Sequence, residues 1–121
     1  MGKRLYGQIL PVVPAGTLSF STPQAVAALT QLFAFQQWQG ADYIIITCRN
    51  ADTSANAATF TAETTHDAGA TEEENPPEVT VAVGKTRQIK IGPFDRNGHV
   101  RLLVNSAGAT VSYRVELQMD H

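Results

Sequence analysis

The C-terminal third of this chain constrains its fold most tightly, because short apolar-alternating segments there are separated by turn residues at regular intervals. Val79, Val81 and Val83 alternate with other side chains before Gly84-Lys85 turns the chain. Ile89 and Ile91 alternate with Arg87, Gln88 and Lys90, and Asn97-Gly98 follows as a hairpin signal, since both residues tolerate positive φ. Val100, Leu102 and Val104 form the next segment, Ser106-Ala107-Gly108 the next turn, and Val111, Tyr113, Val115, Leu117 and Met119 the last. Side chains of a strand point to alternate faces, so a period of two marks a half-buried strand. Short strands with a turn signal about every ten residues predict an antiparallel β-sandwich or jelly roll.

The middle of the chain agrees. Tyr43–Cys48 is a short, β-branched, nearly continuous apolar run, as for a strand buried on both faces. Asn50–Asn56 is rich in turn formers, and Ala58–Glu63 alternates around Phe60. From Thr64 to Pro77 the chain carries Asp67, Glu72, Glu73, Glu74 and the Pro76-Pro77 pair, a composition that favours a solvated loop.

The N-terminal part reads differently. Residues 1–16 are apolar at Leu5, Tyr6, Ile9, Leu10, Val12 and Val13, but Pro11 and Pro14 remove backbone donors and favour an extended arm. Such an arm either covers its own domain or lies on a neighbouring subunit. Thr17–Ser21 alternates as a short strand. Thr22 then suits an N-cap with Pro23 at the first helical position, and Val26, Leu29, Leu32 and Phe33 recur at spacings of three and four among alanines. This predicts an amphipathic helix over 23–37 ended by Gly40; the alternative is a strand through Leu29–Phe35. The expected fold is therefore mainly β, an antiparallel β-sandwich of jelly-roll type. One short helix lies in its N-terminal half, and an extended arm (1–16) precedes a single domain (17–121).

At 121 residues the chain suffices for one domain, which buries roughly two thirds of its unfolded surface. A net charge of −2 is not the strongly basic footprint of a nucleic-acid binder. No apolar run approaches the length of a membrane span, and the prolines interrupt the only stretch resembling a secretory leader, after Lys3 and Arg4. A soluble protein with neither nucleic acid nor membrane as partner is expected.

The catalytic inventory is thin. His66-Asp67 beside Thr64 and Thr65 gives the residue types of a hydroxyl–His–carboxylate trio, but all on one loop that cannot hold attack geometry. His99 and His121 read as an exposed strand start and a chain end. The single cysteine, Cys48, falls in the apolar run and reads as a small core hydrophobe. The acidic group Asp67, Glu72, Glu73, Glu74 lacks the spacing of a calcium loop, and no phosphate-binding or zinc motif occurs. Neither enzymatic activity, nor a cofactor, nor a metal is expected. Charge distribution says more. Between Ala51 and Gly84 there are only carboxylates, whereas Lys85 to Arg114 holds six basic residues against Asp95 alone. Either each is a solvated face, or the acidic loop of one copy approaches a basic strand face of another. Trp38, the only tryptophan, is either a lid on the core or an exposed interface anchor.

The segment Val81-Ala82-Val83-Gly84-Lys85-Thr86, followed by Ile91-Gly92-Pro93-Phe94-Asp95 and two closing strands, resembles small tailed-bacteriophage virion proteins built on a β-sandwich. Gly40-Ala41-Asp42-Tyr43 and the Asn50-Ala51-Asp52 loop are similar to the same group, so the resemblance spans roughly residues 38–118. It includes head decoration (cement) proteins, and it implies a structural role without catalysis. The implied partner is the phage major capsid protein, and the implied location is the outer capsid surface of the virion, after synthesis in the host cytoplasm. Homotrimers at capsid junctions would hold the shell by mass action. Leu5, Tyr6, Ile9, Leu10 and Trp38 are the residues expected to make capsid or subunit contacts. The rival reading is a tail or fibre module that recognises host glycans.

Overall fold

The computed structural model describes residues 20–37, 43–65, 77–92 and 99–118. Eight strands form in them: β1 (Gln24–Val26), β2 (Thr30–Gln37), β3 (Tyr43–Asn50), β4 (Ala58–Thr65), β5 (Glu78–Val81), β6 (Thr86–Ile91), β7 (His99–Asn105) and β8 (Ala109–Gln118). They make two four-stranded antiparallel sheets, ordered β1-β8-β3-β6 and β2-β7-β4-β5. Their inner faces share one core, so the fold is a β-sandwich-like pair of sheets, as the alternation predicts.

That core follows parity. Ile44, Ile46 and Cys48 of β3 and Val111, Val115 and Leu117 of β8 point inward from one sheet. Ala58, Phe60 and Ala62 of β4 and Val100, Leu102 and Val104 of β7 point inward from the other. The intervening residues reach the outer faces. Phe33 and Tyr113 join the two sheets at a ring-centroid distance of 5.3 Å and a tilt of 52°. β3 is buried on its inner face only: Tyr43 and Ile45 are half-buried on the other side and Arg49 is exposed, although Thr47 there is 4% exposed.

The helix expected over 23–37 does not form. Gln24–Val26 and Thr30–Gln37 are strands, Thr22 and Pro23 lead into β1 rather than cap a helix, and Leu29 is 66% exposed. The cause is visible in the register of β2 on β7. Gln31 pairs with Leu103 but Phe33 with Leu102, and Gln36 with Val100, so β2 twice spends one residue more than its partner. Each bulge breaks the period of two and shifts the next apolar side chain by one place. In β2 the neighbouring Leu32 and Phe33 thereby depart from a period of two, while Val26 belongs to β1 and Leu29 to the exposed link between the strands, so the helix-like spacing strings together three separate segments; the Leu29–Phe35 alternative is the one that matches. The strand expected at Thr17–Ser21 lies outside the described residues up to Ser19. Ser21 nevertheless bonds to β8: its N–H donates to the Tyr113 carbonyl at 2.8 Å, and the Tyr113 N–H donates to its Oγ at 3.1 Å.

The hairpin read from Asn97-Gly98 is also corrected. These residues lie outside the described ones, but β6 and β7 belong to different sheets and do not pair. An Asn-Gly pair supplies positive φ to any tight bend, so it marks a turn without saying which strands it joins. Of the chain-adjacent strands, only β4 and β5 pair; every other connection crosses between sheets.

The sheet edges are blunted against further pairing. β1 and β5 are three and four residues long, and β2 is bulged. On β6, Arg87 sits opposite the core-facing Cys48, and a charge at an inward position disfavours docking of another strand.

Candidate functional site

At one end of the sandwich, three inter-sheet connections are tied together, two of them through Asn50. Its side chain is 1% exposed, and its Nδ2 donates to the carbonyls of Val81 and Asn56, both at 3.0 Å. Its backbone takes the next connection: the Gly84 N–H donates to the Asn50 carbonyl, and the Asn50 N–H donates to the Lys85 carbonyl, both at 3.0 Å. Gly84 holds φ at +76°, a left-handed conformation that lets the chain turn back beside Asp52. The β7–β8 turn joins the same assembly. The Asn56 Nδ2 donates to the Ala107 carbonyl at 2.7 Å, the Ala55 N–H to the Gly108 carbonyl at 3.0 Å, and the Ser106 Oγ to the Ala57 carbonyl at 3.0 Å. Loops crossing between sheets lose their ladder partners, and here polar side chains replace them.

This stapling leaves a half-open pocket of about 260 Å³ lined by Pro23, Arg49, Asn50, Asp52, Gly84, Thr110 and Ser112, with Ala51. Its wall mixes polar and apolar surface and carries one cation, Arg49, and one carboxylate, Asp52. The Asn50-Ala51-Asp52 loop and the Val81–Thr86 segment, far apart in sequence, meet here.

The second feature is the outer face of the β1-β8-β3-β6 sheet. Arg49 and Arg114 are diagonal neighbours on β3 and β8, and both guanidinium groups lie over the Phe20 ring, at 4.9 and 5.2 Å from its centroid. Lys90 of β6 lies 4.6 Å from the centroid of Tyr43. Gln88 donates to the Thr47 hydroxyl at 3.1 Å, and Arg114 pairs with Glu116 at 3.2 Å. Lys85, just before β6, and Arg87, exposed on β6 opposite the core-facing Cys48, add charge at that edge rather than on the outer face itself. Of the basic C-terminal stretch seen in the sequence, Lys85, Arg87, Lys90 and Arg114 lie on or beside this sheet and Arg96 lies outside the described residues; the exception among the described ones is Arg101. That residue sits on the opposite sheet, paired with Glu63 and 4.7 Å from the Phe35 centroid. Sequence reasoning missed Arg49 and Phe20 as members of this face; only the β3–β8 register brings them together.

The remaining candidates separate as follows. Leu5, Tyr6, Ile9, Leu10 and Trp38 lie outside the described residues, as do the 1–16 arm, His66, His121 and the carboxylates of 67–74. Cys48 is buried and its thiol is pushed up to about 12 by desolvation, so it is inert as a nucleophile at neutral pH. His99 lies across from Thr65 on β4 and is half-buried at the start of β7. Among the described residues no group of His, Cys, Asp and Glu is placed to hold a metal ion.

Compared with protein-family models, curated proteins and solved structures, the chain matches none of them.

Proposed function

We propose that this protein is a structural virion component of a tailed phage, a decoration protein that binds the outer surface of the head and stabilises it without catalysing a reaction. The observation that carries the reading is the strand order. Two sheets ordered β1-β8-β3-β6 and β2-β7-β4-β5, with all but one connection crossing between them, support a jelly roll, an architecture common in viral capsid and lectin domains. Fold alone does not assign function. The reading is supported further by the phage-like segments Val81–Thr86 and Asn50–Asp52, which pack on each other at the stapled end. On this reading the copies form trimers at junctions of the major capsid protein, with Leu5, Tyr6, Ile9, Leu10 and Trp38 making contact. Binding only to the assembled shell shifts the equilibrium toward assembly.

The test is co-sedimentation of purified protein with undecorated heads of the phage that encodes it. The full chain binds, and a chain lacking residues 1–15 stays folded but no longer binds. Failure of the full chain to bind refutes the function, whereas binding by the truncated chain refutes the role of the arm.

The pocket favours one rival, a module that recognises host glycans, because Arg49, Asp52, Asn50 and the Thr110 and Ser112 residues offer hydrogen-bonding groups of the kind sugars use. Glycan-array binding lost in both Arg49→Ala and Trp38→Ala would select that reading over decoration.

A further inference from the structure

We propose that the outer face and β6 edge of the β1-β8-β3-β6 sheet bind the acidic 67–74 stretch of a second copy of this chain. Among the described residues, Arg49, Lys90 and Arg114 on the outer face and Lys85 and Arg87 at the β6 edge stand with two carboxylates, Glu116 and the Asp52 beside Arg49 and Gly84, for a net charge of +3. The whole chain carries −2, so the rest of the sequence carries −5. Asp67, Glu72, Glu73 and Glu74 supply most of that within eight residues. Opposite charges held on separate parts of one molecule are satisfied pairwise when copies meet head to tail, and such complementarity sets register as well as encounter rate.

The geometry favours carboxylates over phosphates as the ligand. The Phe20 and Tyr43 rings are covered by Arg49, Arg114 and Lys90, so neither offers an open platform for a stacked base. Guanidinium groups lying over a ring keep their N–H edges directed outward, the arrangement that grips a carboxylate side-on. The inference rests on the proposed function for the role of the copies, naming the contact between them.

The experiment uses the purified full chain without capsids, so its failure is separate from failure of capsid binding. Light scattering on a sizing column at about 50 mM salt gives a multimer that dissociates at about 500 mM, where screening shortens the reach of charge to a few ångströms. The reversal Arg87→Glu/Lys90→Glu and the reversal Glu72→Lys/Glu73→Lys/Glu74→Lys each weaken self-association at least about tenfold. Mixing the two variants restores it, because each then offers what the other lacks. Neutral Arg87→Gln/Lys90→Gln gives an intermediate loss, and circular dichroism verifies folding of every variant. A parent chain that is monomeric at both salt concentrations overturns the proposal. So does a mixture that stays monomeric, or retention of duplex DNA at about 150 mM salt that is lost on Arg87→Glu/Lys90→Glu, which assigns the face to phosphate.

Discussion

Replacing Asn50 tests whether the crossing loops are held by one side chain. In Asn50→Ala the carbonyls of Val81 and Asn56 lose their donor, and the Val81 bond is fully buried. A buried acceptor left without a donor costs about 1–3 kcal/mol. Removal also discards the Asn50 Oδ1, buried without a partner, which returns part of that loss. The net expectation is a destabilisation of about 2–3 kcal/mol, or a fall in Tm of about 10 °C for a domain of this size. Asn50→Asp is the sharper variant, because it sets a carboxylate oxygen, nearly isosteric with the amide nitrogen, against two carbonyl oxygens. Repulsion and the burial of charge then add to the lost bonds, so at pH 7 Asp is worse than Ala by more than about 1 kcal/mol. Lowering the pH toward 4 narrows that gap, since a protonated carboxyl donates one of the two bonds. Urea unfolding of the three proteins at pH 7 and pH 4 reads both effects through a shift in midpoint at constant slope. An Ala variant within 0.5 kcal/mol of the parent, or an Asp variant no worse than Ala at pH 7, refutes the stapling argument.

Gly84→Ala destabilises by about 1–2 kcal/mol from its positive φ alone, because the new Cβ would meet the Asp52 Cβ at an unstrained 3.6 Å; thermal melts measure it. Cys48 resists thiol-modifying reagents at pH 8 until the protein unfolds, and rapid modification of the native protein contradicts its burial. Burial raises the Cys48 thiol from 9.0 to about 12 and the Tyr113 phenol above its ordinary value, so the unfolded chain loses these protons first. Stability from both groups is intact below pH 9 and, for Cys48, falls by about 1.4 kcal/mol per pH unit between 9 and 12; alkaline urea titrations of the parent and Cys48→Ala show it, and equal slopes refute it. Phe33→Ala removes the ring that joins β2 to Tyr113 and costs about 3–5 kcal/mol in chemical unfolding, whereas Leu29→Ala, on an exposed side chain, changes stability by less than about 0.5 kcal/mol.

Strand identity was legible from residue order wherever a strand runs without bulges, and facing wherever its apolar residues alternate; the continuous apolar run of β3 marked the strand but not its one-sided burial. The alternation of Val100, Leu102 and Val104 names both the strand and its buried face, because a pleated backbone turns successive side chains to opposite sides. The same rule failed over 24–37, where the spacings of three and four string together β1, an exposed link and a twice-bulged β2. The basic face was legible only as a run of charge; that Arg49 and Phe20 belong to it depends on β3 lying beside β8, a pairing between residues 61 to 75 positions apart. Sheet membership was likewise beyond local pattern. Turn chemistry specifies a local φ and ψ, but whether the chain next pairs with its neighbour or crosses to the facing sheet depends on which arrangement closes the core. Phe33, Phe60 and Tyr113 bury their rings only when strands from distant parts of the chain are assembled around them.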